Sequence, residues 1–136
     1  MLYLNEYIKE GDNFLKIRTF NEKDDEIIVN FMEEVPRGHL VKFTYEDLDV
    51  KAAEVECTLK DLQGEVNRCY KMLDDIAARK DYTDAAKEIW KKTTEDDIEQ
   101  YHEIMKSYIR GLAQIKAIMG VAAIFERDIY FERTER

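Results

Sequence analysis

KAAEVECTLKDLQGEVNRCYKMLDDIA, residues 51–77, decides the fold. Within it Ala52, Val55, Leu59, Leu62, Val66, Cys69, Leu73 and Ile76 recur at alternating spacings of three and four. That period puts all eight on one face of an α-helix and favours side-by-side packing with another helix. The partner stretch is IEQYHEIMKSYIRGLAQIKAIMGVA, residues 98–122, where Ile98, Tyr101, Met105, Tyr108, Leu112, Ile115, Met119 and Ala122 repeat the pattern. Two such helices of about 37 Å each, joined by a connector, predict a long antiparallel hairpin with Ile76 near Ile98 and Ala52 near Ala122.

Outward from the hairpin, the connector ARKDYTDAAKEIWKKTTEDD carries a short helix near 83–92, with Thr83 as its cap. Thr94 with Asp97 reads as a capping arrangement for the second long helix, which runs to about residue 128 before a charged, frayed tail. Asp47 or Asp49 is the expected cap of the first. The N-terminal third has a different character. LNEYIKE at 4–10 reads as a short helix stopped by Gly11. FLKIRTF at 14–20, EIIVNFM at 26–32 and HLVKFTY at 39–45 are rich in β-branched and aromatic residues and joined by short polar connectors. They predict a three-stranded antiparallel meander over 12–46, with the helical hairpin over 47–132.

The expected fold class is therefore α+β in one domain, 1–136. AIMGVAAIF at 117–125 is apolar around nearly its whole circumference, so it needs cover on more than one side. Ile104, Ile109 and Ile118 widen the stripe further. That breadth predicts a homodimer in which two hairpins complete a four-helix bundle.

The chain has 30 acidic and 21 basic residues in 136, a net charge of −9. Residues 1–56 hold fourteen acids and seven bases. Such a surface repels phosphates and excludes ordinary nucleic-acid binding through that half. The N-terminus lacks a signal-peptide layout and the longest apolar run is nine residues, so the expectation is a soluble cytoplasmic protein. Cys57 and Cys69 lie about 18 Å apart along one helix, too far to bridge.

No reaction-bearing constellation emerges. Glu99 and His102 form half of a dimetal signature, but the heptad register turns Glu99 outward. His39 has no nucleophile beside it. Phosphate loops, nucleophile elbows and zinc spacings are all missing from the sequence. The expectation is a non-enzyme without cofactor or metal.

Two binding readings remain. The acidic cluster Glu22, Asp24, Asp25, Glu26, Glu33, Glu34, Glu46 and Asp47 suits a protein partner with a basic surface, in the manner of a regulator or inhibitor. The basic residues Arg68, Lys71, Lys106 and Arg110, with Trp90 and Lys91, suit a small anionic metabolite or nucleotide held near the helices of a homodimer. Arg79, Lys80, Lys87 and Lys92 with Tyr82 add to the second set at the hairpin tip. Gly64 and Gly111 sit inside the helices, each costing about 1 kcal/mol relative to alanine, which suggests close approach or room for a bulky neighbour.

Overall fold

The computed structural model describes residues 1–135 and is α+β, with a four-stranded antiparallel sheet and a long helical hairpin. In chain order the elements are β1 (Leu2–Glu10), β2 (Asn13–Asn21), a 3₁₀ turn (Glu26–Ile28) running into α1 (Val29–Glu34), β3 (Leu40–Phe43), α2 (Tyr45–Ala78), α3 (Asp84–Phe125) and β4 (Ile129–Glu135). The sheet order is β2-β1-β4-β3, so the first and last strands of the chain pair at its centre.

This corrects the expected meander at three places. Residues 4–10 are strand, not helix: Leu4, Glu6 and Ile8 alternate into the core, and only the carboxylate of Glu6 disguises the period of two. Residues 26–32 are helical, not strand: Ile27, Ile28, Phe31, Met32 and Val35 are buried at the spacing of a helix face. The charged tail is not frayed. Ile129 and Phe131 are fully buried in β4, which pairs with both β1 and β3. The connecting segment also differs, because residues 84–92 are the first turns of α3 rather than a separate helix. No Gly or Pro occurs between Asp84 and Arg110, so the apolar register lapses there while the backbone continues. Thr94 accordingly sits mid-helix, its hydroxyl donating to the Trp90 carbonyl at 3.0 Å instead of capping.

Two compact units make up the chain: residues 1–56 with 107–136, and residues 57–106. In the first, the inner sheet face and α1 bury Phe31, Phe43 and Phe131, whose ring centroids lie 5.1–5.6 Å apart, a mutually packed aromatic trio. Leu48, Ala52, Ile115, Ile118 and Ala122 supply the helical side of the core. Residue 111 is glycine for a steric reason. A Cβ there would lie 2.1 Å from the Cβ of Ile27, so the α3 backbone packs directly against the Ile27 side chain of the 3₁₀ turn at this point. Polar ties flank the contact: Gln114 donates to Asp25, and the Ser107 hydroxyl donates to Glu26. Gly64, in contrast, faces open space.

The same unit holds one costly group. Glu6 is fully buried beside Phe131 and Arg18, its cross-strand neighbours. The Arg18 guanidinium forms an ion pair with it, yet neither carboxylate oxygen receives a well-directed hydrogen bond. Burial pushes the Glu6 carboxyl above its ordinary range, and Arg18 opposes that shift only in part. On the outer sheet face Asn5 donates to Glu132 and Thr134 and accepts from Thr19, a network that ties β2, β1 and β4 together.

At the start of α2, the Thr44 amide donates to Asp47 at 2.9 Å and the Asp47 amide donates to the Thr44 hydroxyl at 3.1 Å. This is the reciprocal capping box, and the two hydrogen bonds hold the Asp47 carboxyl below its ordinary range. Thr83, expected to cap a separate short helix, caps α3 itself, accepting from the Ala86 amide at 3.2 Å. Among the described residues α3 alone has an 18-residue window long and apolar enough to cross a membrane by length and composition, with mean hydropathy 1.3.

Candidate binding cleft

The tip of the hairpin, within the second unit, is built by periodicity. Arg68, Met72, Asp75 and Arg79 follow one another at intervals of four, three and four, with Lys71 three residues after Arg68, so they share one face at the C-terminal end of α2. Trp90 comes from the second turn of α3. Together these six side chains line a cleft of about 310 Å³. Three cations against the single carboxylate of Asp75 make it an electropositive spot on a strongly acidic chain.

Arg79 is the organising residue. Its Nη1 donates to the Tyr82 hydroxyl at 2.6 Å, and the guanidinium lies 4.8 Å from the Tyr82 ring centroid and 5.7 Å from that of Trp90. Tyr82 and Trp90 meet edge to face at 5.5 Å. This cation–aromatic stack fixes the half-buried indole at the cleft wall. Thr94 of the same helix is buried, its hydroxyl 3.8 Å from the Met72 sulfur of α2. Arg68 is steered by Glu65 at 3.2 Å but remains largely exposed, as does Lys71.

A second cleft of about 280 Å³ in the same unit has a different character. Leu73, Ile76 and Ala77 form its apolar floor, with Lys87, Glu88 and Lys91 at the rim. Among the described residues no group of three or more metal-ligating side chains converges anywhere.

Of the six residues expected to hold an anionic ligand, the structure brings Arg68, Lys71 and Trp90 into one cleft and puts Lys91 at the rim of the other. Lys106 lines neither cleft and pairs with Glu103 at 3.0 Å, while Arg110 belongs to the first unit. Being basic and mid-helix was too weak a criterion for those two. Arg79, expected at the hairpin tip, does line the cleft, whereas Met72 and Asp75 were missed, although their three-four spacing from Arg68 was available to find them.

The acidic cluster fares differently, because most of it has internal work. Glu22 accepts from the Leu2 amide at 3.1 Å and Asp24 from Asn21 at 3.0 Å. Asp25 and Glu26 anchor the 3₁₀ turn to α3, Glu34 pairs with Lys51, and Asp47, expected as the cap of α2, instead sits in its first turn and accepts from the amide of the actual cap, Thr44. Glu33 and Glu46 are exposed and make no hydrogen bond or ion pair among the described residues. No protein-family model, no curated protein and no solved structure matches this chain.

Proposed function

We propose that this chain is a non-catalytic binding protein whose hairpin-tip cleft takes a small anionic ligand with a planar ring, of the nucleotide class. The observation that carries this reading is the convergence of Arg68, Lys71 and Arg79 with Trp90 in one cleft of about 310 Å³. Guanidinium groups offer forked donors to phosphate oxygens, and an indole held upright by Arg79 and Tyr82 offers a face for stacking. A volume near 310 Å³ lies at the lower end of small-molecule sites, which run from about 300 to 1,000 Å³, so it suits a mononucleotide better than a dinucleotide. The proposal includes a cytoplasmic, homodimeric protein in which two hairpins complete a four-helix bundle. It is supported by the apolar side chains that α3 leaves exposed.

Calorimetric titration with a panel of nucleoside mono-, di- and triphosphates tests it. Binding is expected for at least one member, weakened about 10- to 100-fold in Arg68→Ala and in Lys71→Ala, as befits a lost charge-assisted hydrogen bond. Heat of binding that is unchanged in both variants, or none for any member at millimolar concentration, would rule the cleft out.

A second reading keeps the acidic surface as a docking site for a basic protein, regulating or inhibiting it. It is favoured by Glu33 and Glu46, the two cluster members not engaged in folding. Capture of such a partner that survives Glu33→Lys with Glu46→Lys would eliminate this reading.

A further inference from the structure

The outer face of the sheet carries a surface unlike the rest of the chain. Cross-strand register aligns Lys16 of β2, Tyr7 of β1, Tyr130 of β4 and Lys42 of β3 in one row across all four strands. Their chain neighbours Glu6, Phe131 and Phe43 are buried in the core, so by alternation the row faces outward. A bulge brings Lys16 into it. In the pairing of β2 with β1 one extra residue, Ile17, lies between Arg18 and Lys16, which turns Lys16 away from the core side that Arg18 shares with Glu6. Phe14, paired with Lys9 one row on and 39% exposed, reaches across to Tyr130 and meets it edge to face at 5.1 Å. Strand spacing of about 4.8 Å sets the tyrosines side by side at the centre, with the Cα atoms of Lys16 and Lys42 about 14 Å apart at the edges.

From this row we infer that the outer sheet face binds single-stranded nucleic acid, with two bases stacked on Tyr7 and Tyr130 and flanking phosphates on Lys16 and Lys42. The site is separate from the hairpin-tip cleft and does not rest on that reading. Local charge supports it. Glu132 is the sole carboxylate at the outward positions of the four strands, against Lys9, Lys16 and Lys42, on a chain with 30 acids and 21 bases. That carboxylate is already engaged, accepting from the Tyr7 hydroxyl at 3.1 Å and from Asn5 at 3.4 Å. Lys9 and Lys16 make no ion pair among the described residues, and Lys42 has only Asp128 at 3.7 Å. Eleven of the fourteen acids in residues 1–56 come after β2, so the net charge of that half does not describe this face.

Chemistry favours a nucleic acid over a protein at this face. Every base offers a π-face, and aromatic side chains on the open side of a four-stranded sheet can stack two or three of them. The rings are held in place beforehand, Tyr7 by its hydrogen bond to Glu132 and Tyr130 by Phe14, so little ordering is left to binding. A protein interface needs an apolar centre. Here the row beside the tyrosines is the polar network of Thr19, Asn5 and Glu132.

Fluorescence anisotropy of end-labelled RNA and DNA octanucleotides, titrated with the full chain at about 50 and 200 mM salt, tests the assignment. Binding of at least one oligonucleotide is expected, weaker at the higher salt. Tyr7→Leu and Tyr130→Leu should each weaken it about 10-fold, whereas Tyr7→Phe and Tyr130→Phe should retain it, because the ring faces carry the stacking. Lys16→Gln with Lys42→Gln should lower the salt slope by about 1.4, two phosphates at about 0.7 each. Both lysines are exposed, so this variant keeps its fold and tests the site even if a leucine variant does not. Arg68→Ala, in the other unit, should leave oligonucleotide binding unchanged. No binding of any oligonucleotide at the lower salt overturns the proposal, as does binding that Arg68→Ala abolishes, which would move the strand to the hairpin tip. Polyglutamate bound through the same lysines and indifferent to Tyr130→Leu, with no oligonucleotide bound, would overturn it in favour of an acidic protein partner.

Discussion

Alanine at residue 111 and alanine at residue 64 are the same substitution in two long helices, and the structure gives them opposite signs. In a helix interior the change from glycine gains about 1 kcal/mol from backbone entropy. At Gly64 nothing lies within 4 Å of the new Cβ, so Gly64→Ala should gain about that amount. At Gly111 the new carbon would meet Ile27 at 2.1 Å from Cβ, 2.4 Å from Cγ1 and 2.6 Å from Cγ2. Ordinary carbon contacts need about 3.5–4.0 Å, so the gap must open by roughly 1.5 Å. Because the nearest atom is a Cβ, no rotamer of Ile27 relieves the clash, and the backbone of α3 or of the 3₁₀ turn must shift. That turn leads directly into Ile28, Phe31 and Met32, all buried, so the shift spreads into the core. Overpacking of this kind costs about 1–3 kcal/mol and at times more. Because no side-chain rotation relieves the Cβ contact, the upper end applies, and Gly111→Ala should lose about 2 kcal/mol net of its helix gain. Urea denaturation followed by circular dichroism reads both variants, and Trp90 fluorescence reports separately on the 57–106 unit. A Gly111→Ala protein as stable as Gly64→Ala would refute the contact between α3 and the 3₁₀ turn.

Four further predictions test other joints of the fold. Glu6 has a raised folded pKa, so its favourable contribution is complete below its ordinary value of 4.5 and is lost as pH rises through the folded value; Glu6→Gln should flatten this part of the stability–pH profile measured by thermal melts. Asp47 has the opposite sign, its contribution being present above the ordinary 3.8 and lost as pH falls through the depressed folded value, and Asp47→Asn should remove that acid limb. Thr44→Val, which breaks the other half of the capping box, should cost about 1 kcal/mol in urea denaturation. Deleting residues 129–136 removes β4 from between β1 and β3, and the truncated chain should lose its cooperative sheet transition by circular dichroism; retention of that transition would contradict the strand order.

How much of this was legible in the sequence depends on whether burial matched polarity. The hairpin was, because its stripes are apolar throughout and Val66, Ile76, Ile98 and Ile115 are indeed buried. The 3₁₀–α1 segment was misread because EIIVNFM is rich in strand-forming residues, yet Ile27, Ile28, Phe31 and Met32 already carried a helical period. The central strands were hidden by their own polar residues. Glu6 in β1 is buried beside Arg18, and Arg133 in β4 points inward to donate to the Met32 carbonyl at 2.8 Å. An alternation rule that counts only apolar side chains passes over both. The distant pairing of the first strand with the last has no local signature at all, since it follows from the whole helical hairpin lying between them. At the cleft, residue type identified Arg68, Lys71, Arg79 and Trp90, and spacing would have added Met72 and Asp75.

The central claim is that the hairpin-tip cleft binds an anion bearing a planar ring, and Trp90 makes it directly measurable. It is the chain's single tryptophan and a wall of the cleft, so indole fluorescence reports that site without labelling. Titration with nucleoside 5′-phosphates, and with the matching nucleosides and inorganic phosphate as controls, is the decisive measurement. The account predicts saturable quenching by a nucleoside phosphate, weaker for either half alone and reduced about 10-fold or more by Arg68→Ala. Fluorescence that no nucleoside phosphate changes, or that changes identically in Arg68→Ala, would contradict it.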